Sequence, residues 1–180
     1  MIGRTHALLG VCSLWLLQPL PGALTSDTLA PLAIAAALGA LLPDLDAADS
    51  TVKYLAVGPF TPFAPLSNLL HRAFGHRGLL HSLRGLCACA LLCSPLLWLG
   101  WPWGWLPFLG LVLGYASHLL GDAATRSGIP LLYPDPRRIH LLPRPLRLTT
   151  GSPAEDALLP LLGAAVLALL LGRFPFSASS

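Results

Sequence analysis

Uncharged, mostly apolar stretches cover residues 7–26, 28–43, 85–117 and 157–172. The third is too long for one helix. Pro95, Gly100, Pro102, Gly104 and Pro107 cluster near its middle. The pattern predicts a helical hairpin over 79–99 and 103–121, turning at 100–102. That makes five helices. Several uncharged cores fall short of the roughly 20 residues a spanning helix needs. The shortfall disappears if each helix runs on into the polar residues beside it. Those residues then sit at membrane depth, where polar groups are costly and face a protein interior.

The fifth helix has a start signal in Ser152-Pro153-Ala154-Glu155. Ser at the N-cap, Pro at the first helical position and Glu at the third predict a capping box. Residues 52–75 are mixed. Pro59, Pro62 and Pro65 predict a loop, and residues 66–74 a short amphipathic helix in the interface. Residues 126–151 are rich in proline and arginine and predict an ordered loop. The fold class is therefore all-α, a polytopic membrane bundle of about five spanning helices, with residues 1–180 as one domain. No internal repeat is evident.

Composition agrees with a membrane chain. Apolar residues make up 54% and charged residues 11%, against roughly 25% charged in a soluble domain. Proline and glycine interrupt apolar runs and are not set in low-complexity sequence, which excludes disorder. Cys12, Cys87, Cys89 and Cys93 lie inside apolar stretches without a CxxC pair, and predict neither disulfide nor metal. With five spans, Arg4, Lys53, Arg72, Arg77, Arg126, Arg137, Arg138, Arg144 and Arg147 share one side, and the other has Arg173. The positive-inside rule puts the first set in the cytoplasm, with the N-terminus inside and the C-terminus outside. Trp98, Trp101, Trp103 and Trp105 then form a belt at the opposite interface. The start also has features of a cleavable signal peptide, but lacks a convincing small-x-small site ending in Ala. The basic loop 137–147 lacks interleaved aromatics, so it reads as contact with lipid head groups and not with nucleic acid.

This topology has a chemical consequence. His6 opens helix one, Asp44 and Asp46 close helix two, His76 and His81 precede or open helix three, and His118 and Asp122 close helix four. The apolar pattern did not require these seven residues to share a side, yet they do. His118 and Asp122 are spaced i,i+4 on one helical face. An extended Asp44-Leu45-Asp46 would put both carboxylates on one side of the chain. His76 and His81 flank a glycine turn. Mixed imidazole and carboxylate donors suit Zn²⁺, and also Mn²⁺ or Fe²⁺, and six or seven donors match two ions better than one. The bland alternatives are definite. A lone His at a helix end hydrogen-bonds backbone, the reading taken for His71 and His140. Asp at a helix C-terminus opposes the dipole and needs a cation, which Arg77, Arg84 or Arg126 could supply. No HExxH, phosphate loop or G-x-S-x-G elbow occurs.

At these residues the chain resembles the YdjM-type family of bacterial inner-membrane, metal-dependent hydrolases. The likeness rests on Thr5-His6 with Gly10, on Leu41 to Asp46 with Ser50, on Gly75 to Leu83, and on Gly114 to Asp122. The last block runs on through Thr125, Gly128 and Pro130 to Pro134, and Thr150-Gly151-Ser152 with Glu155 is a weaker fifth. The resemblance implies metal ligands among Asp44, Asp46, His76, His81, His118 and Asp122, with His6 added. Two departures stand out. Ala47-Ala48 replaces the His-Pro often found there, and Leu80 replaces a common Thr.

The expectation is a membrane-bound metal-dependent hydrolase of the bacterial inner membrane, acting on a phosphoester or lipid head group at the cytoplasmic face. Asp46 and Arg77 are the catalytic candidates: Asp44 or Asp46 bridges two ions while the other acts as ligand or general base, and Arg77 clamps an anionic substrate oxygen. Membrane lipids and a small-molecule or lipid substrate are its partners. The rival is a non-enzymatic transporter or structural protein using the same Asp/His set to bind or relay an ion.

Overall fold

The computed structural model describes residues 1–47, 61, 64–74, 77–98 and 104–172. The expected loop at 52–65 apart from residues 61, 64 and 65, the turn at 100–102, His76, Lys53, Trp101, Trp103 and Arg173 lie outside them. The described part is helical, without a sheet. Its helices are α1 (Gly3–Cys12), α2 (Ser26–Leu41), α3 (Ala64–Phe74), α4 (Leu83–Cys93), α5 (Leu106–Ala123), α6 (Pro153–Asp156) and α7 (Leu158–Leu171).

Three helices are long and apolar enough to cross a membrane: Ser26–Asp46, Leu106–Ala123 and Pro153–Leu171. The helix before α2 is shorter than the apolar run predicted. α1 tightens into a 3-10 segment at Ser13–Leu17, and a turn follows with Gly22 at φ 74°. The signal lay in Thr25 and Thr28. Each hydroxyl accepts from the other residue's backbone N–H, a capping box that starts α2 two residues early. α4 is likewise short and passes into a 3-10 segment, Ser94–Trp98.

α5 packs along α2, and α1 packs on both and on α7. Small residues allow this. A methyl added at Gly114 would run into the Ala36 carbonyl, and one at Gly39 into the Leu111 carbonyl. Ala36 and Ala40 are fully buried in the same seam. Where lipid tails are as apolar as leucine, such close backbone approach is what favours helix association.

The loop from Ala124 to Gly151 is ordered, as expected. It satisfies carbonyls that the end of α5 leaves open. Thr125 donates from Oγ1 to Asp122 O at 2.7 Å. Leu141 N–H donates to Ala123 O at 2.8 Å and Leu148 N–H to Ala124 O at 3.1 Å. Trp98 and Trp105 lie exposed at the far ends of α4 and α5, away from this loop.

Candidate metal centre

One end of the bundle gathers the polar residues. His6, Asp46, His81, His118 and Asp122 are all buried there, whereas Asp44 keeps 19% of its side chain exposed. His118 comes from the last turns of α5. The close α2–α5 seam brings its Nδ1–H within 2.7 Å of the Ala40 carbonyl, to which it donates. That bond leaves Nε2 directed into the cluster. His81 comes from the short 3-10 turn Leu79–His81 ahead of α4. Tyr115 pins this turn by donating to Leu80 O at 2.5 Å. The Nδ1 of His81 faces Asp46 Oδ2 at 3.4 Å, so its Nε2 also turns inward.

The two Nε2 atoms meet at 3.2 Å. Asp44 Oδ1 lies 3.5 Å from His81 Nε2 and 3.7 Å from His118 Nε2. Asp122 Oδ2 lies 3.6 and 3.9 Å from the same nitrogens. The donor atoms of Asp44, His81 and His118, and those of His6, His118 and Asp122, lie close enough together that each trio could hold an ion. The contact between the two Nε2 atoms is a ring-nitrogen hydrogen bond whose direction depends on the tautomers of His81 and His118. His81 lies outside the apolar helices. Burial opposes its charged form, but hydrogen bonds to Asp44 and Asp46 outweigh that and push it up to about 9.

His6 stacks on His118, with ring centroids 3.6 Å apart, and its Nε2 lies 3.2 Å from Asp122 Oδ1. The Met1 amino group also contacts Asp122 Oδ1. His6 Nδ1 is buried without a hydrogen-bond partner among the described residues.

Asp44 and Asp46 do not share a side. Pro43–Asp46 is a 3-10 turn and not an extended strand. Three residues per turn send i and i+2 in different directions, so the two carboxylates bracket His81, one at each ring nitrogen. Asp46 also accepts from Arg77 N–H at 3.2 Å. It therefore stands behind His81, orienting the ring, while Asp44 stands at the open side of the cluster.

Arg77 has φ 58°, a left-handed conformation uncommon for a residue with a side chain. Its guanidinium lies 3.0 Å from Asp122 Oδ2 and also donates to Ser127 Oγ. Positive charge at the end of α5 thus comes from Arg77, one of the three arginines considered for it, together with the Met1 amino group. His71 and His140 face backbone carbonyls, those of Asp46 at 2.7 Å and Arg126 at 3.1 Å.

Glu155 does more than the predicted capping box requires. Ser152 Oγ does accept from Glu155 N–H, but the carboxylate does not return to Ser152. It accepts at 2.7 Å from Ile2 N–H and at 2.7 Å from Gly151 N–H. Glu155 thereby caps α1, the helix that carries His6. No local pattern could reveal a bond between the two ends of the chain.

A family model described as YdjM inner membrane protein matches residues 1–176. The chain belongs to the YdjM inner membrane protein family. "Inner membrane protein YdjM" of Escherichia coli (strain K12) is 41% identical over 110 residues, covering 59% of this chain and 50% of that protein. The protein of the same name in Shigella flexneri matches equally. "Uncharacterized protein YvsG" of Bacillus subtilis (strain 168) is 32% identical over 165 residues, covering 88% of each chain. The match thus spans about half the length of the two YdjM relatives. No solved structure matches. As a YdjM family member with helices fit to cross a bilayer, the chain is an inner membrane protein.

Proposed function

We propose that this member of the YdjM family is a metal-dependent hydrolase that binds one divalent ion, Zn²⁺ before Mn²⁺ or Fe²⁺, at the cytoplasmic end of the bundle. His81, His118 and Asp122 are the ligands, and the fourth position stays open to water. The observation that carries this reading is the facing pair of Nε2 atoms, 3.2 Å apart, with a carboxylate oxygen of Asp44 and another of Asp122 within 3.9 Å of both. Each ring presents one nitrogen to the centre because its other nitrogen is held by Ala40 O or faces Asp46, the outer support that metal-bound histidines usually have. One nitrogen binds one ion, which favours a single ion over two.

When bound, such an ion supplies Lewis acidity and makes a water molecule more acidic. The chain's own residues do the rest. Asp44, on the open side, orients the attacking water and takes its proton. Arg77 holds Asp122 in place and balances its charge, and its guanidinium would also clamp an anionic oxygen of a phosphoester. Asp46 fixes the tautomer of His81. His6 Nε2 lies beside the other oxygen of Asp122, Oδ1, at 3.2 Å.

The test is metal analysis of the purified full chain beside turnover of a generic phosphoester such as p-nitrophenyl phosphate. Near one equivalent of metal, lost together with turnover on chelation, supports the reading. Wild-type protein that takes up no Zn²⁺, Mn²⁺ or Fe²⁺ would sink it.

A further inference from the structure

A second feature adjoins this centre. Between α1, α5 and α7 lies a groove of about 470 Å³, open along one side. Leu9 and Cys12 of α1, Leu120 of α5 and Leu162 of α7 form its walls, with Leu141 and Leu148 of the ordered loop at its polar end. The lining is almost wholly apolar. Its inner end is Met1 and Gly121, which also touch the metal centre. A methyl on Gly121 would come within 3.1 Å of Met1 Sδ and 3.4 Å of His6 Cε1, and the Met1 amino group contacts Asp122.

The polar end is cationic. Leu148 and Ala124, both lining residues, are tied by Leu148 N–H to Ala124 O, and Leu148 O accepts from Arg126 N–H. Arg126 and Arg147 therefore stand beside the lining residue Leu148 in the backbone, with Arg144 three residues before Arg147, whose Nε donates to Leu142 O at 2.9 Å. None of the three has a carboxylate partner among the described residues. An apolar slot between helices fit to cross a bilayer, ending against the candidate metal centre, with arginines that lack carboxylate partners flanking its loop end, matches one kind of molecule: an amphiphile with a long chain and an anionic head. A soluble phosphoester would have no use for the slot. A partner helix would not call for the arginines.

We infer that the groove between α1, α5 and α7 holds an acyl chain of an anionic glycerophospholipid, with the lipid phosphate among the arginines of the loop. The inference rests on the hydrolase reading for its meaning, since it names that site's substrate class, but its binding step needs neither metal nor turnover.

The experiment places the full chain in phosphatidylcholine nanodiscs containing a phosphatidylglycerol with a diazirine on its acyl chain, followed by irradiation and peptide mapping. Label is expected on groove residues of α1, α5 and α7. Leu162→Trp fills the groove from α7 and should abolish that label. Leu167→Trp, on the exposed face of the same helix, should leave it unchanged and report that a tryptophan in α7 does not by itself unfold the protein. Label spread over exposed faces such as Leu91, Leu92 and Leu167, and insensitive to Leu162→Trp, would mean boundary lipid and overturn the inference. Equal groove labelling by a diazirine phosphatidylcholine would overturn the anionic assignment. Displacement of the probe by glycerol phosphate alone would assign recognition to a free phosphate and overturn the role of the chain. A wild-type dimer that Leu162→Trp dissociates would assign the groove to a second copy, with the same consequence. A labelled groove in protein that binds no metal supports the inference and removes only the hydrolase reading. Bound metal with an unlabelled groove does the reverse.

Discussion

At the scale of single residues, the centre separates donors from supports. His118 and Asp122 present atoms to the proposed ion, so His118→Ala and Asp122→Ala should fold, insert and lose metal. Asp46 stands behind His81. Asp46→Asn keeps the shape but weakens the hold on the ring, so metal affinity should fall about 10–100-fold, the usual effect of removing such a support. Metal titration of the three variants checks the ordering. Equal loss in all three would make Asp46 a ligand after all. Arg77 poses a different question, because its backbone and side chain do separate things. Arg77→Lys keeps the left-handed backbone and the charge but loses the planar fork that reaches Asp122 and Ser127. Arg77→Gly relaxes the backbone and removes the charge. If the guanidinium serves substrate, both variants keep metal and lose phosphoester turnover. Metal loss in both would leave Arg77 as a structural partner of Asp122 alone.

At the scale of elements, the α2–α5 seam is the critical contact. It sets the His118–Ala40 bond, and that bond sets which nitrogen of His118 faces the centre. Gly114→Ala puts a methyl against the Ala36 carbonyl. Overpacking of this kind costs about 1–3 kcal/mol, and the helices must part to relieve it. The expected outcome is a lower unfolding midpoint in detergent together with weaker metal binding. Unchanged metal affinity would show that the seam does not position His118. Glu155 links other elements. Glu155→Ala leaves the Ile2 and Gly151 amides without their acceptor, at about 1–3 kcal/mol for a buried group left unsatisfied. The start of α1 should loosen, and exchange of the first amides of α1 should quicken while those of α5 stay protected. Hydrogen exchange by mass spectrometry reads this directly.

At the scale of the whole molecule, the first question is which way the bundle lies. The arginine-rich loop and the polar end share one side, for which the positive-inside rule predicts the cytoplasm. Alkaline phosphatase fused within residues 126–151 should be inactive in a bacterial host, and fused after Ser180 it should be active. The reverse pattern would put the centre on the outer face. Much of this architecture is legible in order along the chain. Apolar runs, prolines and the spacing of His118 and Asp122 depend on neighbours within a turn or two, so they predict an all-α membrane protein with His and Asp at one end. Their local cause is also why helix one was overextended: an apolar run without a visible stop conceals the Thr25–Thr28 cap. What tertiary structure alone decided is which donor does what. Asp44 and Asp46 are two residues apart and look equivalent in sequence, but a 3-10 turn sends one to the open side of His81 and the other behind it. Glu155 reads as a local cap until α1 arrives to be capped by it. Roles of this kind depend on contacts between residues far apart in sequence, and those exist only once Gly39 and Gly114 let the helices close.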